Sequence, residues 1–355
     1  MSEGSEKSAI TPNNNPILQG HEKAEEILLD AWKRNALHNS WLISGIEGIG
    51  KATLAYRFAR FLLSADENKR ESYTSLNVSQ DNPIYRLIAN NSHPDLKVLE
   101  RDYTETDRKK ILKSIKSGEQ LSEDEQKNLK RSAFIKVDEV RTVNEFLSKR
   151  SSNDGWRVVI IDSIDDMNTA SANAILKILE EPPHKTLMLL ISHNPARLLA
   201  TIKSRCAKLP LLPLEDKVLS SLIRRYRPEL EEKDVKELTE LCSGSIGKAI
   251  RYAEHDAIEI YERLVKVTSA ANKPKLAEQL SFCEENSASE ENYELCKELF
   301  LKRITERIKT DKEKEELAKL WEKAVQMFDE TERLNMDKKQ VLQQLVYNLS
   351  KISEG

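Results

Sequence analysis

The sequence predicts an α/β domain built on a parallel sheet, followed by a second half made of helices. Three observations support this prediction. Two runs of consecutive apolar residues, Val158–Ile161 and Leu187–Ile191, suit strands that are covered on both faces of a parallel sheet. A third run, Trp41–Ser44, passes through a glycine-rich turn into a helical pattern. From about residue 214 onward, the apolar residues recur mainly at helical spacing.

Length and composition exclude several classes of protein. The 355 residues suffice for two or three domains, and 32% charged residues with a net charge of −3 predict a soluble globular protein. A protein that gripped phosphate backbones alone would be strongly basic. The four cysteines form no C-x-x-C pair and the six histidines are scattered, so we expect reduced thiols and no metal site. Without a membrane span or a signal-peptide core, we expect a cytoplasmic location.

The first domain is expected to span residues 17–213, after a polar, mobile arm over residues 1–16. Within it, residues 101–131 are dominated by charged and small polar side chains, and we interpret them as a solvated insertion, partly helical or disordered. A basic functional patch is the alternative. Acidic residues interleaved with the basic ones favour the solvated interpretation.

The glycine-rich turn has the spacing of a phosphate-binding loop, G-x-x-x-x-G-K, between a strand and a helix. Its residues are Gly45, Gly48, Gly50 and Lys51. Glycines let backbone N–H groups converge on a phosphate, the helix N-terminus favours an anion, and lysine adds a mobile positive charge. We therefore predict a P-loop fold with a candidate site for ATP or ADP. The alternative is a tight turn that only shapes the core.

The groups that would support hydrolysis are missing from this candidate site. Ala52 stands where a P-loop has the hydroxyl that binds Mg²⁺, and Thr53 comes one residue late, about 100° further round the helix. Thr53 and Asp162, which follows a buried strand, complete the candidate site. The neighbour of Asp162 is Ser163, and a hydroxyl cannot position the attacking water as a carboxylate does. Nucleotide binding without turnover stays open. The acids of the next turn are expected to be surface or capping groups: Asp165 and Asp166.

Three stretches together resemble the delta-prime family of clamp-loader subunits of bacterial DNA polymerase III, which are AAA+ proteins: residues 45–63, 155–183 and 192–206. The resemblance covers most of the chain from Gly20 onward. It implies an AAA+ domain, then a small helical lid domain over 214–265 and a helical collar domain for oligomerisation over 270–355.

The resemblance also implies a ring of five subunits with ATP sites between neighbours. In the Ser204-Arg205-Cys206 motif, Arg205 would reach the next subunit's nucleotide as an arginine finger. A planar, permanently charged guanidinium suits the charge that develops on a transferred phosphoryl group. Active relatives carry a lid arginine where this chain has Gly247, although Lys248 beside it could partly compensate. The region of His193 resembles the first sensor, without a clear sensing residue.

We therefore predict a subunit of the DNA-directed DNA polymerase III holoenzyme with no ATPase activity of its own and no required cofactor. The partners implied by the resemblance are the gamma/tau and delta subunits, and, through the assembly, the sliding clamp and primed DNA, with no membrane contact. Two alternatives stay open: an ATP-hydrolysing, gamma/tau-like clamp-loader subunit, and a free-standing nucleic-acid-binding protein with a vestigial P-loop.

Overall fold

The structure is a computed structural model that describes residues 11–117, 122, 129–149, 151, 154–269 and 275–352. The chain divides into two units, residues 1–219 together with 243–247, and residues 220–242 together with 248–355. The finer division into an arm, an AAA+ domain, a lid and a collar stays a prediction.

The first unit contains a sheet of five parallel strands. They are β1 (Ser40–Ser44), β2 (Leu96–Glu100), β3 (Arg157–Asp162), β4 (Thr186–Ser192) and β5 (Ala207–Pro210). The strand order is β2-β3-β4-β1-β5, and each neighbouring pair is parallel. The apolar runs of β3 and β4 are fully buried. The predicted parallel-sheet fold with the P-loop after its first strand is confirmed.

Helices cover both faces of this sheet. They are α1 (Glu22–Lys33), α2 (Lys51–Ser64), α3 (Pro83–Ala89), α4 (Glu105–Ser117), α5 (Val137–Ser148), α6 (Thr169–Glu180) and α7 (Ala200–Lys203), with 3₁₀ turns at Glu67–Ser72 and Ile164–Asp166. Alternate strand residues face opposite sides: Ile160 packs in the core with α1 and α2, whereas Ile161 packs in the core with α5 and α6.

The two ends of α6 follow local rules. The Asn168 side chain accepts a hydrogen bond from Ser171 N at 2.9 Å and so caps the first turn. At the other end, the helix stops at Glu180, two residues before Pro182, because the residue preceding a proline is driven out of helical geometry. Glu180 is thereby held at a helix terminus.

Residues 11–16 of the predicted arm supply acceptors to a buried arginine, and the mobility of the arm stays a prediction. The Arg60 side chain, 2% exposed, donates to Asn13 O at 3.1 Å and to Asn15 O at 2.8 Å. A buried guanidinium needs such acceptors, and carbonyls of this polar segment supply them. Residues 1–10 lie outside the described residues.

The described part of the charged insertion contains α4, and its two ends are paired. Tyr103 and Arg131 form an antiparallel bridge, and Thr104 N donates to Lys130 O at 2.8 Å. Most of the residues of α4 whose burial is described are exposed, and the solvated interpretation stays a prediction. Residues 118–121 and 123–128 of the insertion lie outside the described residues.

Helices make up the second half of the chain, as predicted. They are α8 (Asp216–Tyr226), which begins in the first unit, α9 (Glu232–Cys242), α10 (Ile246–Glu254), α11 (Ala257–Thr268), α12 (Leu276–Ser287), α13 (Glu290–Thr310), α14 (Lys314–Leu334) and α15 (Lys338–Lys351). Phe328 of α14 packs edge-on against Tyr293 and Phe300 of α13, with ring centroids 6.1 and 6.3 Å apart. None of the helices that the structure describes is long and apolar enough to span a bilayer.

Candidate functional site

The structure brings the predicted P-loop residues together between β1 and α2, and Lys51 is the first residue of that helix. The Lys51 ammonium donates to two carbonyls of its own loop, Gly45 O at 2.7 Å and Ile46 O at 2.5 Å. The residue is 3% exposed. Burial lowers the pKa of Lys51 to about 8, against the attraction of nearby carboxylates such as Asp162. The Lys51 ammonium, which would bind a phosphate in an active P-loop, instead binds the loop's own carbonyls.

A segment from the end of the first unit, residues 243–247, packs against this loop, and we call it the latch segment. Ser245 Oγ donates to Glu47 O at 2.8 Å, and Gly247 N donates to Gly48 O at 2.9 Å. Gly48 has φ +76°, and a Cβ added there would lie 2.3 Å from Ser245 Oγ. A Cβ added to Gly247 would lie 2.8 Å from Gly48 Cα. The absence of a side chain at Gly247 therefore allows two backbones to come into contact.

The side chains at positions 52, 53 and 163 pack within the first unit. Ala52 packs against the core, and Thr53 is buried within α2. Ser163 is 2% exposed, and its hydroxyl has no hydrogen-bond partner among the described residues. Position 52 thus has no hydroxyl and position 163 no carboxylate, and these two positions do not fit magnesium-dependent hydrolysis.

Asp162 lies in a setting that opposes its ionisation. It ends β3 and is in register with Glu100 at the end of β2. Burial, followed by the charge of Glu100, raises the pKa of Asp162 to about 6, although Lys51 acts in the opposite direction. The carboxylate is therefore kept in its charged form at neutral pH at the expense of fold stability.

We expect Asp162→Asn to stabilise the fold at neutral pH. In the unfolded chain Asp162 ionises near its ordinary pKa, whereas in the fold it ionises at about 6, so wild-type stability falls between these values as pH rises. The asparagine cannot ionise. Its advantage should be small at about pH 4 and reach about 1 to 3 kcal/mol at about pH 7.5 in urea unfolding.

Asp81→Asn is the matched control, since that side chain is 92% exposed. It should change the unfolding free energy little at either pH. An Asp162→Asn effect of equal size at both pH values would contradict the electrostatic cause.

From the sequence, Asp165 was expected to be a surface or capping group. In the structure it also binds a neighbouring strand end. Its carboxylate accepts hydrogen bonds from Ser192 Oγ at 3.0 Å and His193 N at 2.5 Å, and so it holds the chain just after β4. The only signal in the sequence is that polar residues follow two neighbouring strands, whose carboxyl ends meet at one edge of a parallel sheet. Asp166 instead pairs with Arg101 at 3.3 Å.

Arg205 lies near the amino-terminal ends of the strands, whereas the P-loop lies at their carboxyl ends. It precedes β5, whose first residue, Ala207, pairs with Trp41 near the start of β1, whereas the P-loop follows the end of β1. An open cavity of about 610 Å³ beside Arg205 is lined in part by residues 36–40, which precede and begin β1. Strand β1 has five residues, and four rises of about 3.3 Å per residue separate its two ends by roughly 13 Å.

Lys248 forms an ion pair within the second unit. Its Nζ lies 3.3 Å from Glu298 Oε2, and Arg251 and Tyr252 also bind this carboxylate, at 2.6 and 2.9 Å. Whether Lys248 compensates for the missing lid arginine stays a prediction. In the part of the chain that the structure describes, no group of three His, Cys, Asp or Glu side chains could hold a metal ion. All four cysteines are free thiols and buried.

The sheet order, the loop between β1 and α2 and the aspartate at the end of β3 define the class: this is a P-loop domain of the AAA+ type. The family described as DNA polymerase III, delta subunit, matches residues 20–215. The chain belongs to this family.

Individual proteins are also similar to this chain. DNA polymerase III subunit delta' of Pseudomonas aeruginosa is 30% identical over 242 residues, which are 66% of this chain and 63% of the relative. DNA polymerase III subunit gamma of Buchnera aphidicola is 25% identical over 248 residues, 68% of this chain and 58% of the relative. The matches thus span less than two thirds of these relatives' length. A solved gamma subunit-related protein from Thermotoga maritima covers 91% of this chain and 99% of its own, with 18% identity and a TM-score of 0.44.

Proposed function

We propose that this chain is a non-hydrolysing clamp-loader subunit of the DNA polymerase III holoenzyme, which supplies Arg205 to the ATP site of a neighbouring subunit. In the assembly it acts with gamma/tau and delta subunits in the cytoplasm and helps to load the sliding clamp on primed DNA. Family membership supports the assembly. The observation that carries the proposal is that Arg205 and the P-loop lie at opposite ends of the strands of one sheet.

An arginine in that position cannot serve its own P-loop. An extended arginine side chain reaches roughly 7 Å, about half of the distance that β1 spans. Arg205 is one third exposed, and two of its five N–H donors are used within the described residues, which leaves three for phosphoryl oxygens. This combination suits a guanidinium that acts on a nucleotide held by another subunit.

The P-loop of this chain is a structural turn in this proposal. Ala52 and Ser163 remove the groups that Mg²⁺ and water positioning require. Nucleotide could bind without turnover only if Lys51 left Gly45 O and Ile46 O, so the proposal requires no cofactor. Similarity to a gamma subunit keeps the gamma-like alternative in view, but these residues count against it.

ATP hydrolysis by the isolated chain and by a reconstituted clamp loader tests the proposal. We expect no hydrolysis by the isolated chain, and Lys51→Ala in the complex should leave the rate within about twofold of wild type, because this lysine binds its own loop and no catalytic phosphate. The same substitution in the P-loop lysine of the gamma subunit is the positive control and should abolish most hydrolysis.

Gel filtration and a thermal melt must show that the Lys51→Ala complex assembles and folds normally. Turnover by the isolated chain, or a large loss of rate in an intact Lys51→Ala complex, would favour the ATP-hydrolysing alternative. Tight, salt-sensitive DNA binding by the isolated chain would favour the free-standing nucleic-acid-binding alternative.

A further inference from the structure

Arg205 is oriented by two acceptors from different parts of the first unit. Nη1 donates to Thr201 O at 2.9 Å, and Nη2 donates to Glu180 Oε1 at 2.6 Å. Thr201 lies one helical turn earlier in the chain, whereas Glu180 is 25 residues away. Since the acceptors bind different nitrogens, they define the plane of the guanidinium as well as its position.

Glu180 occupies an unfavourable place for a carboxylate. It is the last residue of α6, and the negative end of a helix dipole disfavours an acid there. The guanidinium of Arg205 offsets this repulsion. The same contact binds a long, flexible side chain to the end of a helix and so restricts its rotamers.

We propose that Glu180 is a positioning residue that holds Arg205 ready for a phosphoryl group of the neighbouring subunit's nucleotide. This inference rests on the function proposed above. The cavity of about 610 Å³ beside Arg205 is also lined by Glu180, Leu179 and Pro182, so there is space next to the guanidinium for a group from outside the chain. Misplacement of a catalytic group by about 1 Å can lower a rate about 10²-fold, which gives such positioning a measurable effect.

The pair contributes little to the stability of the fold. The side chains of Glu180 and Arg205 are 49% and 33% exposed, and ion pairs between such exposed side chains are weak because solvent screens them. Variants of Glu180 should therefore fold and assemble normally. A change in their kinetics then reports on positioning, since an unfolded subunit would be seen in the same samples by gel filtration.

The test compares Glu180→Ala, Glu180→Gln and Glu181→Ala in the reconstituted clamp loader, with Arg205→Ala as the reference. The Arg205-dependent rate is the wild-type kcat minus that of the reference. We expect Glu180→Ala to lower this rate about tenfold with KM for ATP unchanged, because the nucleotide is held by the neighbour's own P-loop. Glutamine keeps an Oε1 acceptor for Nη2 and should retain most of the rate. Glu181, the next residue and also exposed, is the matched control and should behave as wild type.

The outcomes separate the two proposals. If Arg205→Ala lowers kcat but Glu180→Ala does not, the positioning role is wrong and the arginine finger stands. If neither lowers it, the arginine finger itself is wrong. A rise in kcat for Glu180→Ala would show that Glu180 restrains Arg205, and an equal loss for Glu180→Gln would show that the acceptor is not what matters; either result overturns the inference.

Discussion

Arg205→Ala in a reconstituted clamp loader is expected to silence the ATP site that this arginine completes, with assembly unchanged. Arginine fingers contribute about 10³ to 10⁵ in kcat. A loss of that size at one ATP site removes nearly all of the hydrolysis that this site contributes to the total rate of the complex. The measurement is steady-state ATP hydrolysis with and without primed DNA and clamp, after gel filtration has shown that the complex is intact.

Two further variants make the result specific. Arg205→Lys keeps a positive charge but loses the planar fork of donors, so it should recover only a small part of the lost rate. Arg197→Ala removes another exposed arginine from the segment that leads to Arg205, and it should leave the rate unchanged. An Arg205→Ala complex that hydrolyses ATP at the wild-type rate would show that this subunit acts in clamp loading only through architecture.

Arg307→Ala is expected to have the largest effect on stability. Arg307 is 1% exposed and lies within α13. It donates to Asp311 Oδ2 at 2.6 Å, Leu349 O at 3.1 Å and Ile352 O at 2.9 Å, so one guanidinium ties the end of α13 to the end of α15. Alanine would remove the ion-pair partner of the buried Asp311 carboxylate and one donor to each of two carbonyls. We expect a loss of about 3 to 5 kcal/mol in urea unfolding of the full chain.

The second partner gives this prediction a sharper check. In the Arg307→Ala, Asp311→Ala double variant no buried charge remains, so it should be less destabilised than the sum of the two single variants. Lys309→Ala, at an exposed position of the same helix, should cost little. A loss below about 1 kcal/mol for Arg307→Ala would mean that the pair behaves as a surface ion pair.

Local sequence patterns were sufficient for much of the fold and for part of the site. The apolar runs of β3 and β4 and the glycine spacing before Lys51 predicted a sheet and a loop that the structure contains. The absence of a hydroxyl at Ala52 can also be read from one position. These features depend on residues that are adjacent or one helical turn apart in the chain. The spacing of apolar residues and glycines in the sequence is therefore enough to predict them.

The contacts of the predicted arm could not be deduced from local patterns. Residues 11–16 are polar, and a polar segment without apolar periodicity is ordinarily disordered. Here their carbonyls are acceptors for Arg60, which lies some 45 residues further along the chain. No local pattern marks a carbonyl as the partner of a distant buried arginine.

The sequence alone was enough to specify a P-loop turn without its hydrolytic groups and an arginine in a motif at the start of β5. Tertiary contacts determine the hydrogen-bond partners and the orientations of these groups. Ser245 reaches Glu47 across 198 residues, Lys51 turns toward its own loop, and Glu180 orients Arg205 from another helix. The physical reason is that hydrogen bonds between distant segments depend on how the sheet and helices bring backbones together, and side-chain identity at each position is compatible with many such arrangements.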